Sequence, residues 1–320
     1  MRPLLACTLA FAGLLAAADT PALTLIVGNK EENSLAIVDP DSGKVLGTVP
    51  TGLGPHEVVV STDGKTAFVA NYGTGPAPGS TLSVIDLVGQ REIRKFDITP
   101  LSRPHGLAIA GGKVYFTAEA NRIVGRYDPV ANKIDWLTGT GQATTHMVVA
   151  GPQSDQLFTA NIGGDSISVI ERGVVTTIPV GKGPEALDVS PDGKELWTAH
   201  SRDGGVSIID VAAKKVIATL PLGTKRSNRL KFTPDGKHVL ITDLNAGELL
   251  ILDPATRKEV KRINVGKTPE GILMSKDGGR AYVCVAGDDR IAIVDLKTLQ
   301  VTGHITTGKG PDGMAWADRR

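Results

Sequence analysis

The stretch Gly183-Pro184-Glu185-Ala186-Leu187-Asp188-Val189-Ser190-Pro191-Asp192-Gly193-Lys194-Glu195-Leu196-Trp197-Thr198-Ala199-His200 decides the fold. Two short apolar runs, 186–190 and 195–200, flank Pro-Asp-Gly-Lys. An Asp-Gly pair between such runs marks a hairpin, because glycine accepts positive φ without strain. Two further β-type runs follow, 206–210 ending on Asp210 and 216–222 ending at Gly223. The unit therefore holds four short strands.

Working outward, the unit recurs along the chain. One series reads Gly54-Pro55-His56-Glu57, Arg103-Pro104-His105-Gly106, Thr144-Thr145-His146-Met147, Gly183-Pro184-Glu185-Ala186, Ser227-Asn228-Arg229-Leu230, Thr268-Pro269-Glu270-Gly271 and Gly310-Pro311-Asp312-Gly313, at steps of 39 to 49 residues. A second series consists of apolar runs closed by an acid: Asp39, Asp86, Asp128, Glu171, Asp210, Asp253 and Asp295. Both have seven members. Four-stranded units of roughly forty residues are propeller blades. The chain stops after the seventh first strand, 313–317, and the three strands that blade lacks are present at 23–29, 34–39 and 45–51. The expected fold is all-β: a seven-bladed β-propeller, four antiparallel strands per blade, with the last blade closed by N- and C-terminal strands. Most of these acids precede a turn sequence, as in Asp39-Pro40-Asp41-Ser42-Gly43, and are read as capping it.

Composition narrows the function. The 320 residues carry 35 Lys+Arg against 34 Asp+Glu, a net charge of +1, so a dedicated nucleic-acid binder is not expected. Aromatics at 4% are too few for a base-stacking platform, and 41% hydrophobic residues exclude disorder. Met1-Arg2-Pro3, an apolar run over 4–18 and the small triplet Ala16-Ala17-Ala18 read as a cleaved export signal over 1–18. The mature chain, 19–320, is then one propeller domain, periplasmic or secreted, monomeric and without a membrane span. It retains one of the two cysteines, Cys284, which forms no internal disulfide.

These units resemble the YVTN-type propeller repeat of periplasmic YncE-like and surface-layer proteins. The resemblance rests on Gly183-Pro184-Glu185-Ala186-Leu187, Ser190-Pro191-Asp192-Gly193-Lys194, Phe68-Val69-Ala70-Asn71 and Phe158-Thr159-Ala160-Asn161. It covers nearly all of the mature chain. It implies the fold, while the scaffold hosts binding proteins, lactone hydrolases and oxidoreductases alike.

In a propeller the first strand of each blade lines the central channel. The position after Gly-Pro then forms a ring around one mouth: His56, His105, His146, Glu185, Arg229, Glu270 and Asp312. Three imidazoles in consecutive blades suit a divalent transition metal, Zn, Cu or Fe, as cofactor. Glu185 and Glu270 are the candidate proton-transfer groups. Arg229, with Asp312 and Arg226, is the candidate binder of a small, anionic ligand. Asn71, Glu119, Asn161, His200 and Asp243, at the ends of second strands, are the candidates for orienting the ligating residues. The Gly- and Pro-rich segment 72–80 on the same face is a candidate lid. The expected activity is metal-dependent small-molecule binding, extending to metal-assisted hydrolysis of a lactone-like substrate or copper oxidoreduction. The alternatives are a non-catalytic scaffold of the cell envelope and a tetrapyrrole held through one histidine.

Overall fold

The computed structural model describes residues 21–153 and 155–319, and the export signal assigned to 1–18 lies outside them. The chain forms seven four-stranded antiparallel sheets. In the last of them Pro311–Asp318 pairs with Leu23–Asn29, followed by Ser34–Val38 and Val45–Pro50. The sequence expectation of seven blades closed by both termini is therefore met. The seven inner strands are Pro55–Val60, Pro104–Ala110, Thr145–Ala150, Pro184–Val189, Ser227–Phe232, Pro269–Met274 and Pro311–Asp318. Each touches the next around a complete circle. Closure leaves no radial edge to pair with another chain.

Physical chemistry accounts for each layer of a blade. Second and third strands are sandwiched between neighbouring blades, so they are apolar throughout: Glu248–Asp253 buries four consecutive aliphatic residues. Outer strands face water on one side, and Arg91–Asp97 alternates exposed and half-buried side chains accordingly. Large side chains fill the space between blades, as where Trp197 meets Phe232 edge-on at 5.6 Å. Each such fully buried aromatic contributes about 1.5–3 kcal/mol. The Asp-Gly hairpins carry a second device. Ser61, Ser190, Thr233 and Ser275 each donate a hydroxyl to the turn aspartate two residues on, at 2.5–2.7 Å. The acids closing the third strands cap their turns as expected: Asp39, Asp86, Asp128, Asp210, Asp253 and Asp295 each accept at least one backbone N–H. Glu171 departs from the series and accepts instead from Gln156 and Lys214.

One irregularity repeats in all seven blades and positions the site. The register between first and second strand slips just after the first strand begins, between Pro55 and Val58, Pro104 and Leu107, Thr145 and Met147, and at the same place in the other four. A bulge places two residues opposite one and re-aims a side chain. Here it turns one residue per blade toward the channel mouth. Threonines hold the bulges in place from the neighbouring blade. Thr117 Oγ1 donates to the His146 carbonyl at 2.7 Å, and Thr242 Oγ1 to that of Glu270 at 3.1 Å. Glycine is required at 271 and 313, where a Cβ would strike the carbonyl oxygens of Asp312 and His56 in the next inner strands.

Candidate functional site at the channel mouth

The backbone hydrogen bonds define the true equivalences around the mouth. Lys30, Tyr72, Glu119, Ile162, Ser201, Leu244 and Ala286 each donate their backbone N–H to the carbonyl of Gly310, Gly54, Arg103, Thr144, Gly183, Arg226 and Thr268, respectively. Three corrections follow. First, Arg226 matches Gly54, so the ring residue of blade five is Asn228, and Arg229 stands one step deeper, level with Glu57. Second, Glu119 matches Tyr72 and Lys30 rather than Asn71, because Asn71 pairs with Pro55 whereas Pro104 pairs with Ala118. Third, the residues in register with Asn71 do not orient imidazoles. Asn71 bonds Gly52, Thr81 and Ser83, and Asn161 bonds Thr159, Ser166 and Ser168. His200 bonds Asp203, and Asp243 accepts the backbone N–H groups of Lys225 and Arg226. Successive strand residues point to opposite sides, so one step separates a side chain folded into the blade from one aimed at the mouth.

Blades one to three form the imidazole half of the mouth. His56 and His105 stand 5.0 Å apart between ring centroids, and His105 and His146 3.7 Å apart with planes tilted by 32°. Glu119 reaches across from blade two and accepts the His146 Nδ1 proton at 2.6 Å. Its other oxygen accepts the Tyr72 hydroxyl. His146 Nε2 is buried and has no partner, as is His105 Nδ1. His56 Nδ1 donates to the Gly54 carbonyl at 2.9 Å, and its ring packs on Tyr72 at 4.7 Å. Burial, reinforced by the neighbouring imidazoles, holds His105 well below the usual histidine range, and burial likewise lowers His56. Burial alone would raise Glu119, but bonds to His146 and Tyr72 and the nearby Arg103 outweigh it and keep the carboxylate ionised. Burial and the Glu119 charge push the Tyr72 phenol up to about 12.

The expected three-histidine metal site is not formed by these rings. Two imidazoles sharing one tetrahedral ion at about 2.1 Å per bond hold their centroids roughly 5 Å apart. His56 and His105 meet that spacing, whereas His105 and His146 are stacked at 3.7 Å. Among the described residues no group of three His, Cys, Asp or Glu side chains is disposed to hold a metal ion. The donor set offers instead single buried nitrogens.

Blades four to seven form a charged half whose members neutralise one another. Glu185 accepts from Asn228 Nδ2 at 2.8 Å and lies 3.6 Å from the half-exposed Arg226. Arg229 pairs with Glu57 and, at 3.3 Å, with Asp312, and these carboxylates hold its guanidinium firmly charged although it is buried. Blades five and one are three apart in the ring of seven, so this pair crosses the channel beneath the mouth. The expected anion clamp at Arg229 is thereby corrected: its guanidinium is committed to two carboxylates. Lys30 pairs with Glu270 and lies 3.8 Å from Asp312. Burial and repulsion from Asp312 push Glu270 up to about 7 despite Lys30. Cys284 lies buried near Asp312 and Glu270, and burial keeps it a thiol.

Sequence reasoning missed Lys30, Glu57, Tyr72 and Asn228. Of the seven residues that bond back to the rim carbonyls, only Lys30, Tyr72, Glu119 and Ser201 break from the aliphatic pattern, a signal that finds Lys30 and Tyr72; Glu57 and Asn228 lie on first strands and emerge only once the register of the bulge is known. The segment proposed as a lid is largely hairpin, since Thr66–Gly73 and Pro78–Asp86 both extend into it.

With this geometry established, known proteins supply the context. The family model described as the cytochrome D1 heme domain matches residues 146–277, less than half of the chain. No curated protein matches the chain in sequence. Among solved structures, a periplasmic gluconolactonase of Pseudomonas aeruginosa is 17% identical with a TM-score of 0.75, covering 93% of this chain and 99% of that one. A putative 6-phosphogluconolactonase of Bacteroides uniformis is 16% identical with a TM-score of 0.76, over 92% and 99%. A hydrazine synthase of Kuenenia stuttgartiensis is 20% identical with a TM-score of 0.70, over 81% and 88%. At these identities the likeness is one of fold, and the fold is a β-propeller. No helix among the described residues is long and apolar enough to cross a membrane.

Proposed function

We propose that this protein is an exported hydrolase of lactone-like cyclic esters, acting at the channel mouth with His146 as general base. The observation that carries this reading is the Glu119–His146 pair, in which an ionised carboxylate fixes the Nδ1–H tautomer and leaves a buried, unpartnered Nε2. That is the arrangement of an oriented base. Water bonded to Nε2 gives up its proton as its oxygen attacks the ester carbonyl. The ring C–O bond then breaks, and the imidazolium returns the proton to the departing alkoxide. The product is a hydroxy acid, and one water is consumed. Glu119 stabilises the imidazolium in between, and Tyr72 holds Glu119. The Arg229–Glu57 bridge closes the floor, so the substrate approaches from the mouth. The likeness to propellers named as lactonases supports the substrate class, and the repeat motifs support YVTN-type kinship.

The test is base uptake in a pH-stat with δ-gluconolactone, comparing wild type with His146→Ala. Removal of a general base lowers the rate about 10²- to 10⁴-fold. Equal rates would exclude His146 from the reaction. A second reading is favoured by one observation: the heme-domain match begins at His146, whose Nε2 is free to take an iron. His146 would then hold the iron of a tetrapyrrole, and that group would supply redox chemistry. A Soret shift on adding haem, lost in His146→Ala, would select that reading.

A further inference from the structure

We infer that Arg103 is the anion-recognition residue of this mouth, so that the substrate carries a carboxylate or phosphate beside its reacting ester. This rests on the hydrolase reading for the reaction, and on Arg103 itself for the anion. Arg103 occupies the rim position that Gly54, Gly183 and Gly310 fill in other blades, at φ values of 60°, 67° and 61°. Arg103 adopts the same left-handed conformation, at 56°, against the preference of its Cβ. Thr144 and Thr268 hold the same conformation at this position, so the fold tolerates the strain and what sets Arg103 apart is its side chain. The guanidinium lies 5.0 Å over the Tyr72 ring, the residue that joins His56 to Glu119 and through it to His146. Its Nη2 donates to the Gly75 carbonyl at 2.9 Å.

Three other cations near the mouth are already matched. Arg229, Lys30 and Arg226 each face a carboxylate within 4 Å, whereas Arg103 has no such ion pair among the described residues. The guanidinium thus lies over the Tyr72 ring and beside its hydroxyl and is anchored at Nη2, and the N–H donors beyond these contacts are suited to an oxyanion. Glu119 lies near enough to feel the Arg103 charge, so an anion bound there would stand close to the proposed base.

The decisive variant is Arg103→Gly, because glycine relieves the left-handed strain while removing the guanidinium. Binding of inorganic phosphate and of acetate to the full-length mature protein is measured by calorimetry, alongside thermal melting. Wild type is expected to bind phosphate, and Arg103→Gly to bind it roughly ten- to a hundredfold more weakly, the range for one charged hydrogen-bonding partner, with an unchanged or higher Tm. Arg103→Gln, which keeps the stem, must show the same loss should the glycine variant misfold. Phosphate binding that is absent in wild type, or equal in both variants, overturns the inference. In turnover, KM for a phosphorylated lactone and for a carboxylate-bearing lactone should rise in Arg103→Gly by a larger factor than KM for a neutral lactone, and the arm with the larger change identifies the anion; an equal change in all three overturns the inference. If phosphate binding depends on Arg103 but no lactone is hydrolysed, the reaction assignment fails and the anion site stands.

Discussion

His105 shows how much a single position can be strained by its surroundings. It is buried, stacked on His146 and flanked by His56, and all three influences disfavour its protonated form. In the unfolded chain its imidazole titrates near 6.5. Below that value the unfolded state binds a proton that the folded state refuses, so stability is complete above about pH 6.5 and falls as pH drops toward the lowered native value. Thermal melts between about pH 5 and pH 8 should show this slope in wild type and a smaller slope in His105→Gln. An unchanged slope would show that His105 accepts its proton in the native state. His56, also lowered by burial, accounts for part of what remains.

The bulged first strand is the element that makes the site. It lifts one side chain per blade to the mouth, and in six of the seven blades the residue two positions earlier takes a left-handed turn, Arg226 of blade five being the exception. Glycine fills that turn at 54, 183 and 310, but Thr144 and Thr268 hold φ values of 55° and 53°. Thr268 is distant from the imidazole half, so Thr268→Gly tests the strain alone. The gain from relief is offset in part by the greater freedom of unfolded glycine, leaving a stabilisation of about 1 kcal/mol. Chemical denaturation would check it, and a loss of stability would mean that the threonine side chain supports the turn. The same element explains what the sequence could not convey. The repeat was legible because turns, caps and apolar runs recur at nearly constant spacing. Blade five carries Arg226-Ser227 where Gly-Pro marks the strand start in other blades, so the motif alignment slipped by one there, giving Arg229 the place of Asn228. A one-residue slip reverses the side to which a side chain points, which is why Asn71 and Glu119 looked equivalent while only Glu119 reaches a histidine.

At the scale of the molecule, closing seven blades into a ring divides the mouth in two. Blades one to three supply imidazoles, with Tyr72 and Glu119 arranging them. Blades four to seven supply charges that cancel in pairs, and the Arg229–Glu57 bridge spans the channel to form a floor. That His56, His105 and His146 are neighbours was readable from repeat position alone. Their relationship was not, because stacking of His105 on His146 and the reach of Glu119 between blades are products of three-dimensional packing. The central claim is that the ring acts through one oriented base rather than through three equivalent ligands. The most direct measurement is kcat/KM for δ-gluconolactone in wild type and in Glu119→Gln, which keeps size but no longer fixes the His146 tautomer. The expected result is a loss of about 10²-fold or more carried mainly by kcat, as for removal of the orienting carboxylate from a catalytic triad. A Glu119→Gln protein that turns over as fast as wild type would contradict the claim.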